Sequence, residues 1–410
     1  MARNGTIYAG LDIGTTKVCC VIAQVDHDGQ VEIVGIGTHP SKGMRKGVVV
    51  NIEGTLESIQ AAVQEAELMA GSTVTSVYVG MSGSHIQGFN SHGIIAIKHH
   101  EVTEVDVARV IDAAKAVAMP LDREIIHVLP QEFIIDDQDG IKDPLGMAGV
   151  RLEAKVHIVS GAITAVQNML RAVRRANLEV TDIALEQLAS SEAVLTPDEK
   201  ELGVCMLDIG GGTTDIAIFC EDAIKHTAVV GLGGYNVTND IAIGLRTPMI
   251  EAEKIKRKYG CAFSEGVTED ETIEVPSVGG RAPRVLSRKI LSEIIEPRVE
   301  ELCGIVNKEI IKSGFWEFIP SGVVLTGGAS IMEGMVEIAE RVFDLPVRRG
   351  VPIGVGGLVD VVSSPIYSTA VGLILFGLRG KDQGRFYRAA QRSLSKRVTQ
   401  QLAAWFGNLH

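Results

Sequence analysis

Aromatic residues are scarce, at 4% of 410 positions, and the six cysteines contain no C-x-x-C pair. Such sparse cysteine excludes a disulfide scaffold and a zinc-ribbon site. Cys19, Cys20, Cys205, Cys220, Cys261 and Cys303 sit mostly among Val, Ile and Met, and read as small buried hydrophobes in a reducing compartment. No apolar run approaches the roughly 20 residues that span a bilayer; the longest late one is VGLILFG at Val371–Gly377. The opening MARNGTIYAG lacks the apolar stretch of a secretory signal, so a cytoplasmic protein is expected. A net charge of −12 excludes the broad basic face of a general nucleic-acid binder. Neither G-x-x-x-x-G-K-[ST] nor a G-x-G-x-x-G after a strand occurs, which removes P-loop and Rossmann phosphate binding.

What is present is ordinary globular composition, 46% hydrophobic and 22% charged, in a chain long enough for several domains. The beginning alternates β-rich runs (IYAGLDIG, KVCCVIAQVD, VEIVGIGTHP), the last two joined as a hairpin at Asp28–Gly29. An apolar stripe through Leu56, Ile59 and Val63 predicts a helix over 55–70. From about 85 to 160 the pattern becomes strand, helix, strand, strand, short enough for an inserted subdomain. Its helix opens on Thr103 and Asp106 at capping-box spacing and is expected to run to Pro120. The second half restarts with VCMLDIGGGTTDIAIF.

The central feature is a phrase stated twice, LDIGTTK at Leu11–Lys17 and LDIGGGTTD at Leu207–Asp215. A strand ending in Asp-Ile-Gly and turning through Gly and Thr directs backbone N–H groups and hydroxyls into the bend, where phosphate oxygens fit. An Asp at each strand end can hold Mg²⁺ through its waters. One such turn alone is as well explained as a plain glycine hairpin. Two, each opening an α/β half, point to one shared site.

Three further pieces are compatible with that site and ambiguous singly. VVLTGGAS at Val323–Ser330 is either a flat backbone seat for an adenosine or a tight strand–helix turn. Glu253 and Lys256, three apart on one helix face, either meet a ribose and base or form a solvated pair. GLGGYN at Gly231–Asn236 is a third glycine turn.

The order LDIGTTK, ALEQLASSEAVL, LDIGGGTTD, VVLTGGAS and SSPIYSTAVGLILFG resembles the five-part signature of the actin, heat-shock-chaperone and sugar-kinase ATPase superfamily. With the subdomain at 85–160 and the tail, the resemblance is strongest to the bacterial FtsA cell-division family. It implies an α/β, actin-like fold: a duplicated, ribonuclease H-like, two-lobed ATPase with an inserted β-α-β-β subdomain and a C-terminal amphipathic helix. The implied divisions are 1–84, 161–195 and 363–380 (subdomain 1A), 85–160 (1C), 196–245 and 311–362 (2A), 246–310 (2B), a linker at 381–391 and a membrane helix at 392–410.

The resemblance also implies ATP and Mg²⁺ as cofactors. Asp12 and Asp208 would organise the metal, mainly through water. Gly14, Thr15 and Thr16 would cradle phosphates with Gly210, Gly211, Gly212, Thr213 and Thr214, and Lys17 would either touch phosphate or point away. Gly233, Gly234, Asn236, Glu253, Lys256, Gly327, Gly328, Ala329 and Ser330 would surround ribose and adenine. Glu186 stands where relatives orient the attacking water, although a salt bridge or helix cap explains it equally. Implied partners are the tail of the tubulin-like FtsZ at 246–310, other copies of the chain in filaments, and later division proteins, through 85–160. The implied location is the inner face of the bacterial membrane at the division site.

The tail bears its own physical reading. Residues 381–410 hold six cations and one anion, leaving −17 on the remainder. On a helix Leu394, Val398, Leu402, Trp405 and Phe406 share a stripe, while Arg392, Lys396 and Arg397 supply positive charge. That pattern predicts a helix lying in the headgroup plane, each basic residue contributing about 1 kcal/mol on anionic lipid. The alternative is docking on its own domain or on a partner. A pilus-assembly adaptor of related fold and a small-molecule kinase of the same superfamily are the competing functions. The kinase is disfavoured because no Asp-centred substrate pocket can be assigned.

Overall fold

Two sheets repeat one plan, and the repeated phrase opens both. In the computed structural model, which describes residues 5–277, 279 and 281–382, the first sheet orders its strands Glu179–Leu185, Ser76–Met81, Thr6–Ile13, Lys17–Val25, Val31–Pro40 and Gly356–Gly357. The second runs Ala223–Val230, Thr214–Cys220, Val204–Ile209, Val323–Thr326 and Val347–Arg349. Each begins with three antiparallel strands, and each then adds parallel strands beside the first.

Helices Glu186–Val194 and Ser368–Asp382 pack between these sheets. Seven of the nine residues of Glu186–Val194 are buried, so this helix turns almost no surface to solvent. One apolar core joins the first sheet to the facing side of the second, through Val204, Met206, Ala217 and Val324. A separate core covers the other side of the second sheet and continues into helices Met249–Tyr259 and Arg288–Ser313.

The inserted unit has its own core beneath an antiparallel sheet ordered Gln87–Ala96, Arg151–Ala162, Arg123–Ile135 and Gln138–Ile141. Its helix begins with the expected capping box: Thr103 Oγ1 accepts from Asp106 N, and Asp106 Oδ2 accepts from Thr103 N. The helix does not reach Pro120. It spans Glu104–Lys115, because the chain already leaves helical ψ at Ala116, ahead of the residue that the proline itself restricts. The helix expected at 55–70 starts earlier, at Ile52, because the Asn51 side chain caps Gly54 N. Lys381 and Asp382, assigned above to a linker, extend the last helix. All six cysteines are free, and only Cys220 is not fully buried. No helix among the described residues is long and apolar enough to cross a membrane. Leu394, Lys396, Arg397, Val398, Leu402, Trp405 and Phe406 lie outside the described residues.

Candidate functional site

Between the two lobes runs a cleft floored by the two repeated turns. Gly14 N bonds Lys17 O and Gly210 N bonds Thr213 O, both at 2.9 Å, so each turn is closed in the same way. The turns meet across the cleft. A Cβ at Gly211 would stand within 3.0 Å of the Thr16 side chain, and one at Gly212 would stand 2.7 Å from Thr15 Oγ1. Glycine is therefore demanded here by the opposite lobe rather than by its own backbone.

Of the residues singled out in the sequence, Asp12, Gly14, Thr15, Thr16, Lys17, Glu186, Asp208, Gly210, Gly211 and Thr213 line this cleft. So do Gly233, Gly234, Asn236, Glu253, Lys256, Gly327, Gly328 and Ala329. Gly212, Thr214 and Ser330 lie behind the lining. The Thr214 hydroxyl donates to Leu232 O at 2.9 Å and that of Ser330 to Gly327 O at 2.7 Å, so both hold turns together.

Local bonds explain several positions. Helix Gly234–Leu245 spends its first N–H groups on the second turn: Gly234 N on Gly210 O at 2.9 Å, and Tyr235 N on Gly211 O at 2.7 Å. Asn236 Oδ1 accepts from Gly233 N at 3.1 Å, a cap of that helix. Lys256 Nζ, largely enclosed, donates to Gly234 O, Thr238 Oγ1 and Glu253 Oε2 at 2.7–3.0 Å, so Glu253 and Lys256 form a bonded set rather than a solvated pair. Lys17 Nζ donates to Ile366 O and lies 5.1 Å from the centre of the Tyr367 ring. Gly327 has φ +82°, and a Cβ there would collide with Asp208 Oδ1 and stand 2.6 Å from Ile209 O.

The electrostatics of the floor are lopsided. Burial pushes Asp12 up to about 6, with Lys17 pulling it down and Asp208 pushing it further up. Burial also raises Asp208, against hydrogen bonds from Ser190 Oγ at 2.5 Å and Thr369 Oγ1 at 3.0 Å. Glu186 lies well above the carboxylate range, from burial and then from Asp12, Asp215 and Asp208. Asp12, Asp208 and Glu186 thus share the one ammonium of Lys17, an arrangement short of positive charge and suited to a hard divalent cation. Among the described residues no three His, Cys, Asp or Glu groups converge to hold an ion directly. A cation on Asp12 and Asp208 would therefore rest largely on water and ligand oxygens.

Sequence reasoning missed Asp215, Ser82, Ser190, Thr369 and Thr238. Asp215 ends the second phrase and is brought up to about 7, by burial above all. It accepts from Ser82 Oγ, of the opposite lobe, at 2.6 Å. The phrase itself was the signal for Asp215. Nothing local marks Ser82.

Two lobes of duplicated topology closing on such a cleft define an actin-like protein, and solved structures share the fold. The PilM–PilN type IV pilus biogenesis complex aligns at TM-score 0.66 and 17% identity, covering 92% of this chain and 99% of that one. MreB5 of Spiroplasma citri bound to ADP aligns at 0.55 and 12% over 92% and 98%. Residues 205–372 match the family described as cell division protein FtsA, and residues 83–160 the SHS2 domain inserted in FtsA. The cell division protein FtsA of Pseudomonas aeruginosa is 57% identical over 93% of this chain and 92% of its own length. That of Escherichia coli K12 is 44% identical over 100% and 98%. The chain belongs to the FtsA family of bacterial cell-division proteins.

Proposed function

We propose that this chain is an ATP-binding, actin-like division protein that polymerises on the inner membrane and tethers the FtsZ ring to it, recruiting later division proteins. The observation that carries the nucleotide part is the meeting of Gly211 and Gly212 of one lobe with Thr16 and Thr15 of the other, in a floor of uncompensated carboxyls. In this reading Gly14–Lys17 and, of the second turn, Gly210, Gly211 and Thr213 bind phosphates while Gly212 and Thr214 shape that turn, Asp12 and Asp208 hold Mg²⁺ through water, and Glu253, Lys256 and the 233–236 and 327–330 turns receive the nucleoside. Bound Mg²⁺ supplies the positive charge that the floor lacks. Glu186, which lines the cleft and is raised by its enclosure and by the neighbouring carboxyls, is the candidate to orient the attacking water in a weak or regulatory ATPase at most.

A structural neighbour described as MreB5 bound to ADP supports nucleotide in such a cleft, and one described as a MamK double helical filament, TM-score 0.52, supports self-assembly. The basic, Trp- and Phe-bearing tail supports reversible attachment to anionic lipid at the cytoplasmic face. Stable attachment then comes from many tails on one polymer. Binding of the FtsZ tail at 246–310 and of other division proteins at 85–160 completes the reading. The pilus-adaptor alternative rests on shared fold at 17% identity, and relatives at 44–57% identity outweigh it. Electron microscopy on anionic lipid monolayers with and without Mg·ATP tests nucleotide, filament and membrane together. Filaments on lipid that require ATP are expected; a bare monolayer in both conditions sinks the reading.

A further inference from the structure

The inserted subdomain is joined covalently to the first lobe but is also fastened to the second. Strand Ala223–Val230 is the edge of the second sheet, and its pairing with Thr214–Cys220 slips at one point, leaving Lys225 without a partner in register. Such a bulge on an edge strand leaves carbonyls that no neighbouring strand satisfies. The inserted sheet satisfies them. Gln131 Nε2 donates to Ile224 O at 2.7 Å and Asn90 Nδ2 to Lys225 O at 3.2 Å.

His157 completes the seam. Because Asn90 Nδ2 is engaged, Asn90 Oδ1 is an acceptor, so His157 Nδ1, 2.6 Å away, carries the proton. Its Nε2 then accepts from Thr227 Oγ1 at 2.8 Å. Gly88 lets the surfaces come this close: a Cβ there would collide with Thr227 Oγ1 and stand 2.7 Å from His157 Nε2, although its φ is outside the left-handed region. At the root of the insertion Ser82 Oγ donates to Asp215, beside the phosphate turns.

We propose that the inserted subdomain is a strap across the two lobes, so that movement of the second lobe when the cleft fills is transmitted to the subdomain through the Gln131, Asn90 and His157 contacts. Rotation of the lobes must either drag the subdomain or strand the buried Ile224 carbonyl, the Gln131 amide, the His157 ring and the Thr227 hydroxyl without partners, and dragging is the less costly course. The subdomain thereby reports cleft occupancy at a surface remote from the cleft. This inference rests on the nucleotide reading above.

Hydrogen exchange on the full chain tests it, with Gly88→Val as a wedge and Asn90→Ala/Gln131→Ala as a variant that adds no bulk. Saturating Mg·ATP is expected to slow exchange in both 223–230 and 87–96 of the wild type by at least about threefold. In both variants 223–230 keeps that response, affinity stays within about twofold, and 87–96 ceases to respond. A wild-type response at 87–96 in both variants overturns the strap, as does a wild type that binds Mg·ATP without any response there. Absence of Mg·ATP binding by the wild type overturns the nucleotide reading instead. The fastening is then judged without ligand: it stands if Gly88→Val raises exchange at 87–96 and falls if exchange is unchanged.

Discussion

Gly212 of one lobe packs against Thr15 of the other, with only 2.7 Å between the Cβ that glycine lacks and Thr15 Oγ1. Thr15 Oγ1 is also held by Gly47 N at 3.1 Å, so it does not yield freely. Gly212→Ala is expected to weaken Mg·ATP binding about tenfold, and Thr15→Ala/Gly212→Ala to recover most of that loss. Titration calorimetry on the four proteins of this cycle measures the coupling. Additive effects would show that the turns act independently.

Asp208 is held by Ser190 and Thr369, and its removal takes away a floor carboxylate. Asp208→Ala should lower Mg·ATP affinity at least about tenfold, equivalent to about 1.4 kcal/mol. Unchanged affinity removes Asp208 from the site.

Burial brings His157 from 6.5 down to about 3, so the folded chain holds it neutral. The unfolded chain binds the extra proton between these values, and stability must fall as pH drops through 6.5 toward 3. Relative to His157→Gln, the wild type should lose up to about 2 kcal/mol between pH 7 and pH 5 in denaturant titrations. Parallel pH curves for the two proteins would remove His157 as the cause.

The capping box of helix Glu104–Lys115 predicts that Thr103→Ala costs about 1 kcal/mol. Melting of the full chain reads this, and exchange within 104–115 localises it.

Trp405→Glu places a charge in the apolar stripe of the tail and should release the protein from anionic liposomes in flotation. Continued flotation argues for attachment elsewhere.

The parts legible in the sequence are those written within a few residues of one another. Thr103 and Asp106 announce a cap because both its bonds span three positions. The overshoot to Pro120 marks the limit of that reasoning: proline bounds a helix without saying where hydrogen bonding stops. Asp215 stands within the second phrase, yet its hydrogen-bond partner is Ser82, 133 positions away in sequence. Lys17 reads as a phosphate ligand, and its bond to Ile366 O crosses 349 positions.

By itself, then, the sequence determined the strands, the turns and the repetition that makes two lobes, since alternation, glycine and hydroxyl spacing act locally. It also determined the family resemblance, because motif order survives without coordinates. Only the tertiary structure decided which turn residues face the cleft, which hydroxyls are consumed behind it, and how the inserted sheet is fastened across the lobes. These depend on which chain segments are buried together. Burial turns an ordinary serine, glycine or glutamine into a contact with few available partners.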